Sequence, residues 1–243
     1  PGSGSAYVFV RAGTGWVQEQ KLRARTGEAH DAFGYAVALE GSTALAGAYF
    51  GGAADVGSAY AFRRAGTRWE QEAELAPHDG APSDYYGTSV ALTSGAASVT
   101  AVVGAPYHDA LGLDRAGAAY VFRRAADAWA ADGKLVAGDA EARDHFGYSV
   151  AADGRTLLVG AFGADPKGQD SGAAYVFERG AHGWTETARL GIADGRPYDW
   201  FGWSLALDGD TALVGVPFDD DEGFDSGSVR VFVQSGGDRK SVV

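Results

Sequence analysis

The sequence contains no cysteine, no methionine and no apolar run long enough to cross a membrane. Without cysteine there are no disulfides and no thiolate metal ligands. Without methionine there is no initiator residue, and we expect a trimmed chain or an internal fragment. Basic residues are scarce: 20 Lys and Arg stand against 32 Asp and Glu, a formal net charge of −12. This balance argues against nucleic acid and anionic membranes as partners.

Glycine and aromatic residues are abundant, which favours many short strands joined by tight turns. The stretch 199–232 shows the pattern best. Bulky residues alternate there with Gly, Ser or Ala, which is the period of a strand with two different faces. The bulky positions are Phe201, Trp203, Leu205 and Leu207. Asp208-Gly209 predicts a hairpin turn, and an apolar strand, an acidic loop and a third strand follow.

Four features of this stretch recur in fixed order along the chain. The third-strand block, GSAYVF in its first copy, begins at Gly4, Gly57, Gly117, Gly172 and Gly227. A Trp with a Leu six residues later follows the first four blocks, at Trp16, Trp69, Trp129 and Trp184. An aromatic-Gly pair comes next, starting at Phe33, Tyr86, Phe146 and Phe201. A Gly-Ala-Pro-like element ends each copy, starting at Gly47, Gly104, Gly160 and Gly215. The chain is therefore predicted to be a repeat protein.

Phe-Gly followed by Gly-Ala-Pro and Gly-Ser-Ala-Tyr-Val-Phe resembles the FG-GAP repeat of integrin-α-type β-propellers. The resemblance covers residues 1–235 and implies an all-β fold of four-stranded antiparallel blades. It places the FG strand innermost, the GAP strand second, the Tyr-Val-Phe strand third and the Trp-to-Leu strand outermost. Alternating charges in the fourth strand predict a solvated face there, carrying Glu70, Glu72 and Glu74.

The repeat boundaries predict how the blades are divided. The chain begins with strands three and four, contains three full units and ends with strands one to three. We therefore expect an arc cut from a larger propeller, and a small closed ring is the alternative. Residues 238–243 break the repeat after a Ser-Gly-Gly spacer and resemble the translation of a sequencing-library adapter. Residues 236–243 are predicted to be a non-native or disordered tail.

Calcium is the cofactor that the resemblance suggests, because integrin-type repeats often carry an Asp-x-Asp-x-Asp-Gly loop between the FG and GAP strands. The corresponding turns here are Glu40–Ser42, Thr93–Thr100, Asp153–Arg155 and Asp208–Asp210. They have too few carboxylates for a cation that takes six to eight oxygen ligands. We therefore predict no cofactor at these turns.

Other acidic residues are candidate ligands. One Asp stands two residues before each aromatic-Gly pair, at Asp31, Asp84, Asp144 and Asp199, and another precedes the third strand, at Asp55, Asp114, Asp170 and Asp225. Their recurrence favours turn caps that bond local backbone N–H groups. The loop 219–225 crowds five carboxylates. It is a candidate metal site, with Asp219, Asp220, Asp221 and Asp225 as ligands, although a solvated acidic loop is the favoured interpretation.

In the blade arrangement, loops two-to-three and four-to-one share one face of the propeller, and these are the loops that vary. Trp200 stands in a slot held by Ala32, Tyr85 and His145 in the other copies. A variable aromatic residue in such a loop is a candidate for recognition. The predicted ligand-binding residues are Trp200, Tyr107, Phe162, Phe218, Asp219 and Asp221. The Trp of each fourth strand is predicted to pack between blades, and the loop histidines to be solvated.

No motif predicts catalytic residues. The main hypothesis is a non-catalytic binding or adhesion module, extracellular or at the cell surface, that presents its loops to a protein or glycan. The alternative is an accessory propeller of a larger secreted enzyme, and an enzyme in its own right is a weaker third. The sequence predicts no nucleic-acid partner and no membrane span.

Overall fold

The computed structural model describes residues 2–95, 98–235 and 238–241. These residues form eighteen strands and two three-residue 3₁₀ turns, so the all-β prediction is confirmed. The strands are β1 (Ala6–Ala12), β2 (Gly15–Leu22), β3 (Val37–Glu40), β4 (Thr43–Ala48), β5 (Ser58–Ala65), β6 (Arg68–Leu75), β7 (Val90–Ser94), β8 (Ser98–Ala105), β9 (Ala118–Ala125), β10 (Ala128–Leu135), β11 (Ser149–Asp153), β12 (Thr156–Ala161), β13 (Ala173–Gly180), β14 (Gly183–Leu190), β15 (Ser204–Asp208), β16 (Thr211–Val216), β17 (Ser228–Ser235) and β18 (Asp238–Ser241). The 3₁₀ turns are Ala53–Asp55 and Ala110–Gly112.

The strands form one two-stranded and four four-stranded antiparallel sheets. Each four-stranded sheet runs in chain order, β3 to β6, β7 to β10, β11 to β14 and β15 to β18. Neighbouring sheets pack through their first strands, β3 on β7, β7 on β11 and β11 on β15, so the FG strand is innermost as predicted. Across the described part of the chain, the first and last sheets do not pack together, which leaves an open arc.

The glycines of the FG-GAP motif lie where neighbouring sheets approach most closely. A Cβ added to Gly104, in the GAP element of β8, would lie 1.9 Å from the carbonyl oxygen of Gly147, in the next FG pair. Gly47 stands in the same way against Gly87, and Gly160 against Gly202. No side chain fits in this space, and therefore the motif requires glycine on both sides of the sheet interface.

Apolar side chains of the first two strands fill the space between sheets. The second strand of one sheet meets the first strand of the next, as Leu45 of β4 does with Leu92 of β7. Val102 and Val150 share the next core cluster, and Leu158 and Leu205 the one after it. The core is therefore a series of similar layers, each made by two neighbouring sheets.

Four strands contain a β-bulge three residues after their Trp, namely β2, β6, β10 and β14. The bulged residues are Glu19, Glu72, Asp132 and Thr187. A bulge redirects a side chain, and here the bulges turn the side chains of the three acidic residues, Glu19, Glu72 and Asp132, toward the next sheet. The carboxylate of Glu72 accepts hydrogen bonds from Arg124 at 2.7 Å and from Trp129 Nε1 at 3.0 Å.

We call this contact the bulge clip. It also joins Glu19 to Arg64 and Trp69, and Asp132 to Arg179 and Trp184. The prediction of a solvated face for the fourth strand is therefore wrong at Glu72, whose side chain is only 15% exposed. The repeated Trp residues pack between blades, as predicted, at Trp69, Trp129 and Trp184, where the preceding sheet supplies the acidic side chain that accepts the indole N–H.

The last strand, β18, lies within the segment predicted to be a tail. Its backbone pairs antiparallel with β17, from Ser235 opposite Asp238 to Phe232 opposite Ser241. Residues 236, 237, 242 and 243 lie outside the described residues. That the segment 236–243 is non-native stays a prediction.

Candidate functional site

Two sets of loops meet on one face of the arc. In each repeat, the backbone N–H of the residue after the GAP element donates to the backbone carbonyl of the Asp that stands two residues before the aromatic-Gly pair of that repeat. These bonds join Phe50 to Asp31, Tyr107 to Asp84, Gly163 to Asp144 and Phe218 to Asp199, at 3.1 to 3.3 Å. Loops two-to-three and four-to-one therefore share one surface, which we call the loop face.

The recurring aspartates shape these loops locally. In each repeat the Asp carboxylate accepts the backbone N–H of the residue three positions earlier, as Asp84 does from Ala81 at 2.7 Å. The same bond occurs at Asp31, Asp144 and Asp199. All four residues are buried. The turn-cap interpretation is therefore the one that the structure supports for this set.

The residue after each of these aspartates has a left-handed backbone. The φ angles are 58° at Ala32, 54° at Tyr85, 56° at His145 and 58° at Trp200. A non-glycine residue costs about 1 kcal/mol or more in this conformation. Because the conformation recurs in four copies while the side chain varies, the loop is a fixed scaffold that presents a variable group.

Aromatic rings from all four repeats form a continuous series of contacts on the loop face. We call this series the aromatic band. It comprises Tyr35, Tyr49, Phe50, Tyr85, Tyr107, His145, Tyr148, Phe162, Trp200, Trp203 and Phe218. Centroid distances between neighbouring rings are 4.2 to 5.6 Å. All members except Tyr35, which is exposed, are partly buried. The band is thus accessible to a partner along its length.

The four aromatic residues predicted to bind a ligand all lie in this band. Trp200 contacts Phe218 at 4.6 Å and Phe162 at 5.3 Å, and Phe162 stacks on His145 at 4.9 Å. His145 in turn contacts Tyr107 at 4.8 Å. The structure therefore brings Trp200, Phe218, Phe162 and Tyr107 together across three repeats. That they bind a ligand stays a prediction.

Several members of the band were missed in the sequence. Tyr35, Tyr148 and Trp203 stand two residues after the aromatic of the FG pair, a position held by Thr88 in the second repeat. Trp203 stacks on Trp200 with centroids 5.0 Å apart and planes 16° from parallel. The signal was present, because an aromatic recurs at this position in three of four copies.

Burial disfavours the charged forms of three titratable rings in the band. Burial raises the pKa of Tyr148 to about 12 and also raises the pKa of Tyr49. Burial lowers the pKa of His145, and the nearby charge of Arg115 lowers it further, against the hydrogen bond to the Pro106 carbonyl. The Nε1 of Trp200 is buried and has no hydrogen-bond partner among the described residues. The band is therefore mainly aromatic surface, with one buried donor without a partner at Trp200.

Charged residues surround the middle of the band. A cleft of about 490 Å³ is lined by Tyr85 and Tyr107 together with Asp109, Asp114 and Arg115. The guanidinium of Arg115 lies 5.6 Å from the ring centre of Tyr107. Arg143 pairs with Asp114 at 3.3 Å on the same side. The cleft thus combines aromatic ring faces with negatively and positively charged groups that can form hydrogen bonds.

The acidic loop 219–225 is held by its own contacts. Asp219 is buried and accepts hydrogen bonds from Ser228 and, at 2.9 Å, from Arg230, which also binds Asp221 at 2.7 Å. Burial raises the pKa of Asp219, but these bonds outweigh it, and the pKa is lowered. Asp220 accepts the backbone N–H of Asp225 at 2.7 Å. In this loop the predicted binding residue Asp219 has a structural role, since its side chain faces Arg230 and Ser228.

The metal hypothesis for Asp219, Asp220, Asp221 and Asp225 gains no support from this geometry. Within the described ranges, no group of three or more acidic or histidine residues is arranged to hold a metal ion. The Asp220 contact is also found in repeats without the acidic cluster, where Asp109 and Asp165 accept the corresponding N–H groups of Arg115 and Asp170. This bond closes the loop. Calcium binding at the FG-to-GAP turns remains predicted to be absent.

His108 is buried, contrary to the expectation that the loop histidines are solvated. Its Nδ1 lies 2.8 Å from Asp84, and its Nε2 lies 2.7 Å from Lys134 Nζ. Lys134 and Tyr120 both donate to Asp79, and these bonds lower the pKa of Asp79 to about 2 against the effect of burial. Both nitrogens of His108 are therefore engaged, which leaves none to act as a general base.

The fold and the loop face together define a protein built of repeated propeller blades. The sequence model of the FG-GAP repeat family matches residues 16–62, 69–122, 129–177 and 184–232. These matches cover most of the chain, and the chain therefore belongs to the FG-GAP repeat family. A search of curated proteins found no match. The described part of the chain has no helix long and apolar enough to cross a membrane.

Proposed function

We propose that the chain is a non-catalytic, extracellular or cell-surface binding module, and that the aromatic band on its loop face contacts a glycan or a protein. FG-GAP repeats typically serve as binding and adhesion modules, which is consistent with this role. The observation that carries the proposal is the continuity of the band. Rings contributed by separate loops of four repeats contact one another, although the structure of each sheet requires no such contact.

The geometry favours a glycan. Sugar rings present apolar C–H faces that stack on aromatic side chains, and hydroxyl groups that bond to carboxylates. Trp200 and Trp203 provide a stacked pair at one end of the band. In the middle of the band, the cleft at Tyr107 provides the carboxylates of Asp109 and Asp114. A partly buried aromatic surface rimmed by charged groups is also the composition of a protein-binding surface. The test therefore includes both kinds of partner.

Glycan arrays and pull-down from extracellular extracts identify a partner for the intact chain. We then expect Trp200→Ala combined with Trp203→Ala to weaken binding at least about tenfold, which corresponds to about 1.4 kcal/mol. The matched control is Tyr198→Ala. Tyr198 is an exposed aromatic of the same loop whose hydroxyl donates to Gln169, and it does not belong to the band.

Thermal unfolding of each variant must accompany the binding measurement, because the band residues are partly buried. Full affinity of the Trp200→Ala, Trp203→Ala variant would place binding elsewhere. An equal loss on Tyr198→Ala would show that the loop matters through its conformation rather than through the band. Turnover of any captured glycan would contradict the non-catalytic role.

A further inference from the structure

We infer that a small cavity in the third repeat binds an imidazolium group, at the place where the second repeat holds a histidine side chain of its own. The cavity has a volume of about 130 Å³ and lies on the loop face. Its lining includes four carboxylates and one guanidinium, namely Asp139, Glu141, Asp144, Asp165 and Arg189, together with Ala164. None of the residues that line it belongs to the aromatic band, so the inference is independent of the proposed function.

The second repeat shows which chemical group fills this place. His108 and Ala164 are corresponding residues, since each is the fourth residue after the first glycine of its GAP element. The ring of His108 is buried, and its Nδ1 lies 2.8 Å from the carboxylate of Asp84, the counterpart of Asp144. The third repeat therefore keeps the carboxylate but lacks the ring, and the cavity lies beside Ala164.

The carboxylate of Asp144 is buried and has no cation paired with it among the described residues. One of its oxygens accepts the backbone N–H of Glu141 at 2.8 Å. The guanidinium of Arg189 pairs with Asp139 at the exposed rim. Burial, together with the negative charges of Glu141, Asp139 and Asp165, raises the pKa of Asp144 to about 6, against the N–H bond from Glu141. A cation in the cavity would therefore meet a carboxylate that the fold already holds in position.

Two other repeats supply a basic group at this place from the chain itself. In the second repeat it is His108, with Lys134 at 2.7 Å from its Nε2. In the fourth repeat the corresponding residue is Asp219, whose carboxylate accepts a hydrogen bond from Arg230 at 2.9 Å. In the third repeat the small side chain of Ala164 leaves this role to a ligand.

The size of the cavity favours an organic cation over a metal ion. At about 30 Å³ for each water molecule, the cavity exceeds the volume of one water several times. Within the described ranges, no group of acidic or histidine residues is arranged to hold a metal ion. The contact between His108 and Asp84 identifies the fitting group as a planar ring that donates an N–H to the carboxylate.

The experiment follows the backbone amide resonances of the intact chain while imidazole is added at about pH 6.5. At this pH Asp144 is mostly ionised and about half of the imidazole is protonated. Saturable shifts should appear at residues 144 and 164, with a dissociation constant on the order of 1 mM, which is within reach of so small a ligand. Pyrazole is the matched control ligand, because it is a ring of the same size that stays neutral. It should bind at least about tenfold more weakly, since it brings no charge to the carboxylate.

Four variants test the assignment. Asp144→Asn should weaken imidazole binding at least about tenfold, because the ligand then meets a neutral amide. The matched control Asp199→Asn changes the same turn cap in the fourth repeat and should leave binding unchanged. Ala164→His should abolish binding, because its ring would occupy the cavity. His108→Ala should create a second site, with new saturable shifts at residue 84.

Absence of saturable shifts at residues 144 and 164, or unchanged affinity in Asp144→Asn, would overturn the proposal. Equal binding of pyrazole would also overturn it. Methylammonium carries the same charge without the ring, and its binding as tightly as imidazole would show a site for any small cation instead. A short peptide with one central histidine distinguishes the source of the imidazolium group. Binding at least as tight as that of imidazole would indicate the side chain of a partner, and weaker binding would indicate a free imidazole compound.

Discussion

Trp16 and Trp69 hold the same place in the repeat, yet their environments are opposite. Trp69 is 5% exposed, and its Nε1 donates to the bulged Glu19 of β2, in the preceding sheet. Trp16 is 71% exposed, and it lies in the first sheet of the described residues, before which no other described sheet packs. The repeat therefore does not assign a role to a residue by itself. The role of a residue depends on the sheet that packs against it. Trp16 and Trp69 therefore allow the effect of the same substitution to be measured without and with a neighbouring sheet.

The largest effect is expected at the GAP glycine. Gly104→Ala places a Cβ against the backbone oxygen of Gly147, which cannot move without separating two sheets. We expect a loss of more than about 4 kcal/mol or failure to fold. At Gly215, the atom nearest to an added Cβ would be the side-chain oxygen of Ser204, at 2.2 Å, and the next nearest atoms lie at ordinary contact distances of 3.5 Å and more. Gly215→Ala should therefore cost about 1 to 2 kcal/mol, because this side chain can rotate. Urea unfolding of both variants measures the difference, and equal costs would contradict it.

The two tryptophans provide the next comparison. Trp69→Ala removes a buried ring and leaves the Glu19 carboxylate with one donor fewer. We expect a loss of about 3 to 5 kcal/mol. Trp16→Ala should change the free energy of unfolding by less than about 0.5 kcal/mol, because its ring is exposed. A cost of several kcal/mol at Trp16 in urea unfolding would show that the first end is covered in solution.

The bulge clip allows a smaller but sharper comparison. Glu72→Ala leaves the guanidinium of Arg124 largely buried without its carboxylate, and we expect a loss of about 3 kcal/mol. The corresponding bulged residue of the fourth repeat is Thr187, whose hydroxyl donates to Val176 at 3.4 Å. Thr187→Ala should cost less than about 1 kcal/mol. The double variant Glu72→Ala, Arg124→Met should recover part of the loss, and no recovery would argue against the ion pair.

Asp84 and Asp144 differ in the residue that faces them. His108 contacts Asp84, whereas Ala164 stands at its place in the third repeat. Burial raises the pKa of Asp144 to about 6, despite the N–H bond from Glu141. The folded state therefore binds a proton more tightly than the unfolded chain. The stability that this group contributes is complete below about pH 4 and is lost as the pH rises through about 6.

Asp144→Asn stays neutral and keeps an acceptor for the Glu141 N–H. We expect its stability relative to the parent chain to rise between pH 4 and pH 7, by about 2 kcal/mol. Asp84→Asn should have the opposite sign at pH 7, because it removes the carboxylate that pairs with His108. Thermal unfolding across this pH range measures both. A parallel response of the two variants would show that His108 makes no difference.

The smallest expected effect is that of calcium. The FG-to-GAP turns offer few carboxylates, and Asp153 already accepts the backbone N–H of Gly209 at 2.6 Å. We expect no change in the unfolding temperature on adding calcium or a chelator. A rise that disappears when Asp153, Asp208 and Asp210 are changed to Ala would show that these turns hold the ion.

The strand order was predicted from the resemblance of the repeated motifs to the FG-GAP family, and local turn chemistry predicted the Asp caps. It did not predict the bulge clip, since Glu72 and Trp129 are 57 residues apart and only sheet packing joins them. The burial of Asp219 was also missed. A signal existed there: Arg230 replaces the Tyr found at this place in the other third strands, and it binds the loop from within.

The bulge clips join each sheet only to the next one, as do the glycine contacts and the core clusters. Energetically the arc is then a row of units coupled to their nearest neighbours. In such a row the end units have one partner and the inner units have two. Unfolding should therefore begin at the ends and proceed inward, so that amide exchange is slowest in β7 to β14 and fastest in β1, β2 and β15 to β18. Removing one end unit should therefore destabilise the unit that becomes the new end more than any other remaining unit.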